Sequence, residues 1–269
     1  MLHRKVPLPF WLIGCALILT VGCNPAEKKQ PPAPEPFPLE IDHLFVWVAK
    51  EAPEAKALEA AGLKILEEVS KHTGQGTASR GCIFENSYLE LIWIDDEKAA
   101  SDNSSRSGID FVTRARWKES GASPFGIGLH RVAGRTGVIP FPVIDYWAEW
   151  MEPKTSIQFS RDVSDPKEPM YFVVPDSMAI PDAATLENLR KADPGYAAML
   201  VHPLGVKKLT GIRVVTNGNG LIPTASALSE GGVLRVEKGD AGLMELTFDG
   251  GAEKQTIDLR PQLPLILRY

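Results

Sequence analysis

Ile41-Asp42-His43-Leu44-Phe45-Val46-Trp47-Val48 decides how the chain is read, together with its partner Tyr88-Leu89-Glu90-Leu91-Ile92-Trp93. Both carry the period-two pattern of a β-strand, in which residues two apart share a face. On the first, His43, Phe45 and Trp47 fall on one face and Leu44, Val46 and Val48 on the other. On the second, Tyr88, Glu90 and Ile92 share a face, opposite Leu89, Leu91 and Trp93. With the aliphatic face of the first strand in the core, its other face is an aromatic-lined surface carrying a histidine. The second strand adds a carboxylate to it. One imidazole and one carboxylate on neighbouring strands are half a metal site or an acid/base pair.

Working outward, the spacing predicts a helix over 53–61, opened by Pro53 and ended by Gly62. A strand follows over 63–69, then a polar glycine-containing loop over 71–76 and a hairpin of 78–84 with 88–94. Residues 95–108 are polar and aperiodic and read as a surface loop. A short helix is expected over 109–119 and a strand over 125–132, then irregular chain at 138–142 and 145–150. Short strands are expected at 156–160 and 170–174, and a helix at 182–192. Strand, helix and strands then recur over 209–269, faintly repeating the order of 41–94. The expectation is an α+β protein of two βαβββ modules, 41–94 and 206–269, forming a curved mixed sheet around a cup. A long irregular insertion, 95–205, lies between them.

Toward the N-terminus the chain changes character. His3, Arg4 and Lys5 precede an apolar run from Val6 to Val21, the pattern of a secretory signal and short for a membrane span. The run ends at Thr20-Val21-Gly22-Cys23, which resembles a bacterial lipobox, with Thr20 where leucine is usual. Leu12-Ile13-Gly14-Cys15 fits locally but leaves too short an apolar run. The resemblance implies a signal over 1–23 and lipidation at Cys23. The protein would then be anchored to a membrane of the cell envelope and face the periplasm. Pro31, Pro32, Pro34, Pro36 and Pro38 make 24–40 an extended tether. Beyond Cys23 the only cysteine is Cys82, so no disulfide forms within the folded part. Composition is globular, 44% hydrophobic and 23% charged. The net charge of −5, with no basic run, argues against a nucleic-acid partner.

Three separated stretches carry a family likeness: Ile41-Asp42-His43-Leu44, Gly74-Gln75-Gly76-Thr77-Ala78-Ser79-Arg80 and Tyr88-Leu89-Glu90-Leu91. Together they resemble the glyoxalase-like branch of the vicinal oxygen chelate superfamily. His202-Pro203-Leu204-Gly205 with Leu209-Thr210-Gly211-Ile212 is similar to the start of that branch's second module, and Leu259-Arg260-Pro261 with Leu263-Pro264-Leu265 to its end. The resemblance implies paired modules around a cup that takes a small, oxygenated molecule. It also implies a divalent metal (zinc, iron, manganese or nickel) held by a first-strand histidine and a last-strand glutamate, here His43 and Glu90. The chain departs from the full pattern. The strand over 209–216 has no histidine, and 256–269 no glutamate. A third ligand would have to come from His72, His130 or His202.

Glu90 is the candidate general base, and His43 a metal ligand or a donor to a developing oxyanion. His72, Thr77, Arg80, Phe45 and Trp47 are candidate substrate-binding residues. Gly74 and Gly76 are expected to let backbone approach a ligand. Tyr146, Trp147 and Trp150 make either an aromatic lid or a satellite core. Gly126-Ile127-Gly128 lacks the third glycine and following helix of a dinucleotide site. No Gly-x-Ser-x-Gly, His-Glu-x-x-His or phosphate loop occurs. Lyase, isomerase and dioxygenase chemistry, or a non-catalytic binding cup, all remain open.

Overall fold

The computed structural model describes residues 36–135, 137–218 and 222–269. Cys15, Cys23 and the tether up to residue 35 lie outside them. The elements run β1 (Leu39–Trp47), α1 (Ala55–Ala60), β2 (Ser70–His72), β3 (Thr77–Ile83), β4 (Tyr88–Ile94) and α2 (Glu97–Ser107). They continue with α3 (Phe111–Ala115), α4 (Trp117–Ser120), β5 (Phe125–Arg131), β6 (Val143–Tyr146), β7 (Ile157–Ser160) and β8 (Met170–Val173). Then come α5 (Ala183–Ala192), α6 (Pro194–Met199), β9 (Leu209–Thr216), α7 (Pro223–Glu230) and β10 (Arg235–Lys238). β11 (Leu243–Phe248), β12 (Thr256–Asp258) and β13 (Leu265–Arg268) complete an α+β fold.

The strands make two mixed sheets, β2-β3-β4-β1-β5-β8-β7-β6 and β10-β9-β11-β13-β12. β1 lies at the centre of the larger one, parallel to β4 and antiparallel to β5, while β5 is parallel to β8. Outward from the β1/β5 pair the order is therefore the same on both sides. These are the two modules of the curved sheet. The second of them is β5–β8, inside the stretch 95–205 expected to be an irregular insertion. Residues 206–269 instead build the five-stranded sheet. β6, β7 and β8 have four residues each, too few for a period-two pattern to stand out.

Two apolar cores result. Leu44, Val46 and Val48 join Leu89, Leu91 and Trp93 in one core, which the five-stranded sheet completes with Ile212, Val214, Met244, Leu246, Leu265 and Leu267. Phe45 and Trp47 lie on the opposite side with Phe111, Tyr146, Phe159 and Phe172. The two-face reading of β1 from His43 onward is what the strand does. Ahead of His43 it is inverted: Leu39 and Ile41 pack with Leu44 and Val46. The cause is a bulge. Ile41 pairs with Leu129 and His43 with Gly128, leaving Asp42 as an extra residue. Glu40, Asp42 and His43 thereby turn to the same side of the sheet.

Residues 95–108 are α2 rather than a loop. The Asp96 side chain accepts from Ala99 N–H, and Gly108 closes the helix at φ 75°. Only Ala100 and Asn103 of α2 are buried, so its sequence lacks a helical apolar stripe. Residues 63–69 bury Leu63 and Ile65 but form no strand; the ladder begins at Ser70. β6 replaces part of the irregular chain expected near 145. The outer face of the five-stranded sheet carries a charge ladder. Arg213 bridges Glu237 and Glu245, Arg235 also pairs with Glu237, and Arg268 with Glu245.

Candidate functional site

A cavity of about 350 Å³ opens on the aromatic face of the larger sheet. Its apolar wall includes Phe45, Phe111, Phe159, Phe172 and Trp150, and its polar groups include His43, His72, Gln75, Tyr88 and Glu90. β1, β2, β4, β7 and β8 all contribute, so the cup is closed by the two modules of one sheet. Among the described residues of 206–269 none lines it.

His43 is buried and oriented on three sides. Its Nδ1 lies 2.7 Å from Asp42 Oδ1. Its ring stacks on Tyr88, with centroids 4.5 Å apart, and meets the edge of Phe172 at 5.3 Å. β5 makes room for these rings. A Cβ on Gly128 would fall 2.8 Å from His43 Cε1, and one on Gly126 would fall 2.0 Å from Phe45 Cε1. The glycines at 126 and 128 are thus seats for β1 aromatics. The second module repeats neither His43 nor Glu90: its cavity-facing positions on β5 and β8 are Gly126, Gly128, Met170 and Phe172.

Asp42 is fully buried. Besides His43 it meets His130 Nδ1 at 3.1 Å and accepts from Ile180 N–H at 2.8 Å. Burial alone would raise its carboxyl, but the contacts with His130, His43 and Ile180 outweigh it and hold the group well below the usual carboxylate range. A carboxylate facing Nδ1 makes that nitrogen the protonated one and leaves the Nε2 lone pair of His43 free. His130 does not line the cavity. Its Nε2 pairs with Glu40 at 2.9 Å, so both ring nitrogens face carboxylates. Against the lowering effect of burial, these partners raise its pKa.

His72 carries the complementary pattern. Its Nδ1 lies 2.8 Å from Thr77 Oγ1, which also accepts from Gln75 Nε2 at 2.8 Å. Gln75 Oε1 in turn accepts from Tyr146 O–H and Trp150 Nε1–H, fixing the amide's orientation. If the Thr77 hydroxyl proton goes to His72 Nδ1, the imidazole N–H falls on Nε2. Burial lowers the His72 pKa, with Glu90 raising it and His43 lowering it. Glu90 faces the cavity and accepts from Ser79 Oγ at 3.3 Å. It sits beside Phe45 in the β1/β4 register, one step along from the His43–Tyr88 pair.

His43, Phe45, His72 and Glu90 are brought together as lining residues, and Thr77 stands directly behind His72. Trp47 is fully buried in the aromatic core, one layer away. Arg80 faces the opposite side of the sheet and donates to Leu66 O at 2.7 Å, because Ser79 takes the cup face. Gly76 serves the fold: a Cβ there would lie 2.3 Å from Ala100 N in α2. Trp150 lines the cavity, Tyr146 is core, and Trp147 is exposed. His202 is structural, with Nδ1 accepting from Lys64 N–H and Nε2 facing Ile83 O. Cys82 is buried, and burial pushes its thiol pKa up. Asp42, Gln75 and Tyr88 had no functional reading in the sequence. Gln75 stands between two glycines and Tyr88 shares the strand face of Glu90, whereas the bulge takes Asp42 off the face that strict alternation gives it.

The donor set does not fit a protein-held divalent metal. Among the described residues no three His, Cys, Asp or Glu side chains converge as ligands. His43 and Glu90 alone would supply two where catalytic zinc usually takes three. His130 is enclosed by Glu40 and Asp42.

Comparison with known proteins agrees with this architecture. No curated protein matches the chain. The crystal structure of a hypothetical protein from Staphylococcus aureus is similar, with a TM-score of 0.50 and 13% identity over 86% of this chain and 98% of that one. At that identity the likeness is one of fold. Residues 41–150 match the family described as a glyoxalase-like domain, which supports a vicinal oxygen chelate type of domain for that part of the chain.

Proposed function

We propose that the cup binds a small oxygenated molecule and moves a proton next to its carbonyl group. The observation that carries this reading is the pair of oppositely prepared imidazoles in one cavity. His43, oriented by Asp42, presents a lone pair; His72, oriented by Thr77, presents an N–H. His43 takes the proton from carbon, the electron pair moves onto the carbonyl oxygen, and the His72 N–H stabilises the developing charge. The role of base, expected at Glu90, thereby moves to His43, and Glu90 receives the ligand's own donor group. The aromatic walls exclude water from the exchange.

The test is hydrogen–deuterium exchange at the carbon beside the carbonyl of small neutral hydroxyketones, followed by NMR in heavy water. The full-length protein should accelerate exchange, and His43→Gln should reduce the acceleration by about 100-fold or more. His72→Gln should reduce it less. Exchange unaffected by His43→Gln would remove His43 from the reaction. A second reading, a non-catalytic binding cup, is favoured by the glycines and Phe172 that leave the second module without a polar group. It predicts ligand affinity with no exchange. We further propose anchoring to the cell envelope through Cys23. Cys23→Ser should abolish acyl labelling and release the protein from membranes, and persistent labelling would sink the idea.

A further inference from the structure

The charges around the cavity are one-sided. Apart from its two imidazoles, the formally charged lining residues are Lys71 and Glu90. The Lys71 side chain is 70% exposed and pairs with Asp95 Oδ2 at 3.2 Å, so its charge is answered outside the cavity. No arginine lines the wall. Arg80, the cation expected there, is held on the other side of the sheet by Leu66 O. Asp42, behind His43, already faces His130. Glu90 has one hydroxyl partner, Ser79, and no cation within ion-pair distance among the described residues. A half-buried carboxylate with spare acceptor sites attracts a hydrogen-bond donor and repels an anion. Apolar rings around it strengthen both effects by lowering the local dielectric.

We infer that the cavity rejects negatively charged molecules and takes an uncharged or ammonium-bearing compound with a flat apolar body. Its hydroxyl or ammonium group donates to Glu90, and its ring packs against the apolar wall that includes Phe45, Phe159 and Phe172. An ammonium gains further from the electron-rich ring faces. Carboxylates and phosphates, common handles on small metabolites, find no cation in this lining that is free of an ion pair. The inference rests on the cavity being a ligand site, as proposed above, but not on any reaction taking place in it.

Three probes share one body and differ in charge: tyramine, 2-(4-hydroxyphenyl)ethanol and 4-hydroxyphenylacetate. Their binding to the full-length protein is measured by calorimetry, with the Trp150 indole signal in NMR reporting occupancy of the cavity. The amine and the alcohol should bind at least about tenfold more tightly than the carboxylate, the scale of one uncompensated like-charge contact at partial burial. Glu90→Gln should close most of that gap, chiefly by strengthening the carboxylate. The wild-type comparison stands without the variant. If the carboxylate binds wild-type protein as tightly as the alcohol, charge selection is overturned while the ligand site survives. A gap that persists in correctly folded Glu90→Gln also overturns it. If none of the three binds, the ligand-site reading falls and takes this inference with it.

Discussion

Asp42 joins two histidines and a loop through one carboxylate. Its oxygens serve His43, His130 and the Ile180 N–H. Asp42→Ala leaves these donors unpaired in a buried setting and should cost about 3 kcal/mol, read from the urea midpoint. The pH dependence has a definite sign on each side. The Asp42 carboxyl is held below its ordinary value of 3.8, so its contribution is complete above that pH and is lost as pH falls toward the folded value. The His130 pKa is raised above its ordinary 6.5, so its contribution is complete below 6.5 and is lost as pH rises through the folded value. Stability measured from pH 3 to 9 should fall at both ends. His130→Gln should flatten the alkaline limb and also weaken the acid limb, because His130 is one of the partners that hold Asp42 low; an unchanged alkaline limb would assign it to another group.

At the scale of elements, the two central strands fit as aromatic against glycine. Gly126→Ala drives a methyl into the Phe45 ring, which can move only by disturbing Phe172, stacked on it at 5.9 Å. A loss of about 1–3 kcal/mol is expected in thermal unfolding. Gly128→Ala should instead turn the His43 ring and be felt more in ligand binding than in melting. The faces of β1 from His43 onward and of β4 were legible in the sequence because six residues on each alternate between a face with a polar group and an apolar face. His43 and Glu90 followed from that parity alone. Three features were not legible. The bulge adds one residue without leaving a sequence signature, so strict alternation would put Asp42 on the aliphatic face with Leu44. α2 is held by its caps and a polar surface rather than an apolar stripe. The second module lacks the long strands that reveal period two, so a more strongly patterned segment, 206–269, was taken for it.

At the scale of the molecule, the five-stranded sheet contributes no residue to the cavity, yet it completes the core beneath it. Its Ile212, Val214, Leu246 and Leu267 pack in one cluster with Leu44, Val46 and Leu91 of the strands that carry the site. Ending the chain after Gly205 would expose this surface. Such a truncated protein should be aggregated or molten, with strong binding of an apolar dye and no cooperative melt. A cooperative transition in the truncated chain would show the two sheets to be independent. Within the outer charge ladder Glu245 is buried and accepts from both Arg213 and Arg268, so Glu245→Gln should cost about 1–3 kcal/mol, more than an exposed ion pair would.

The chain enters the fold through the strand that carries the site. Phe37 packs beside Gly231, Pro38 O accepts from Val132 N–H, and β1 then runs between two hydrogen-bonded neighbours. A mechanical pull from the N-terminal side is therefore applied along a central strand. It loads the ladders to β4 and β5 in shear, many bonds at once, instead of peeling an edge one bond at a time. The slack residue at the bulge lies between the point of entry and His43. Asp42, whose carboxylate orients His43, therefore stands on the load path ahead of the imidazole.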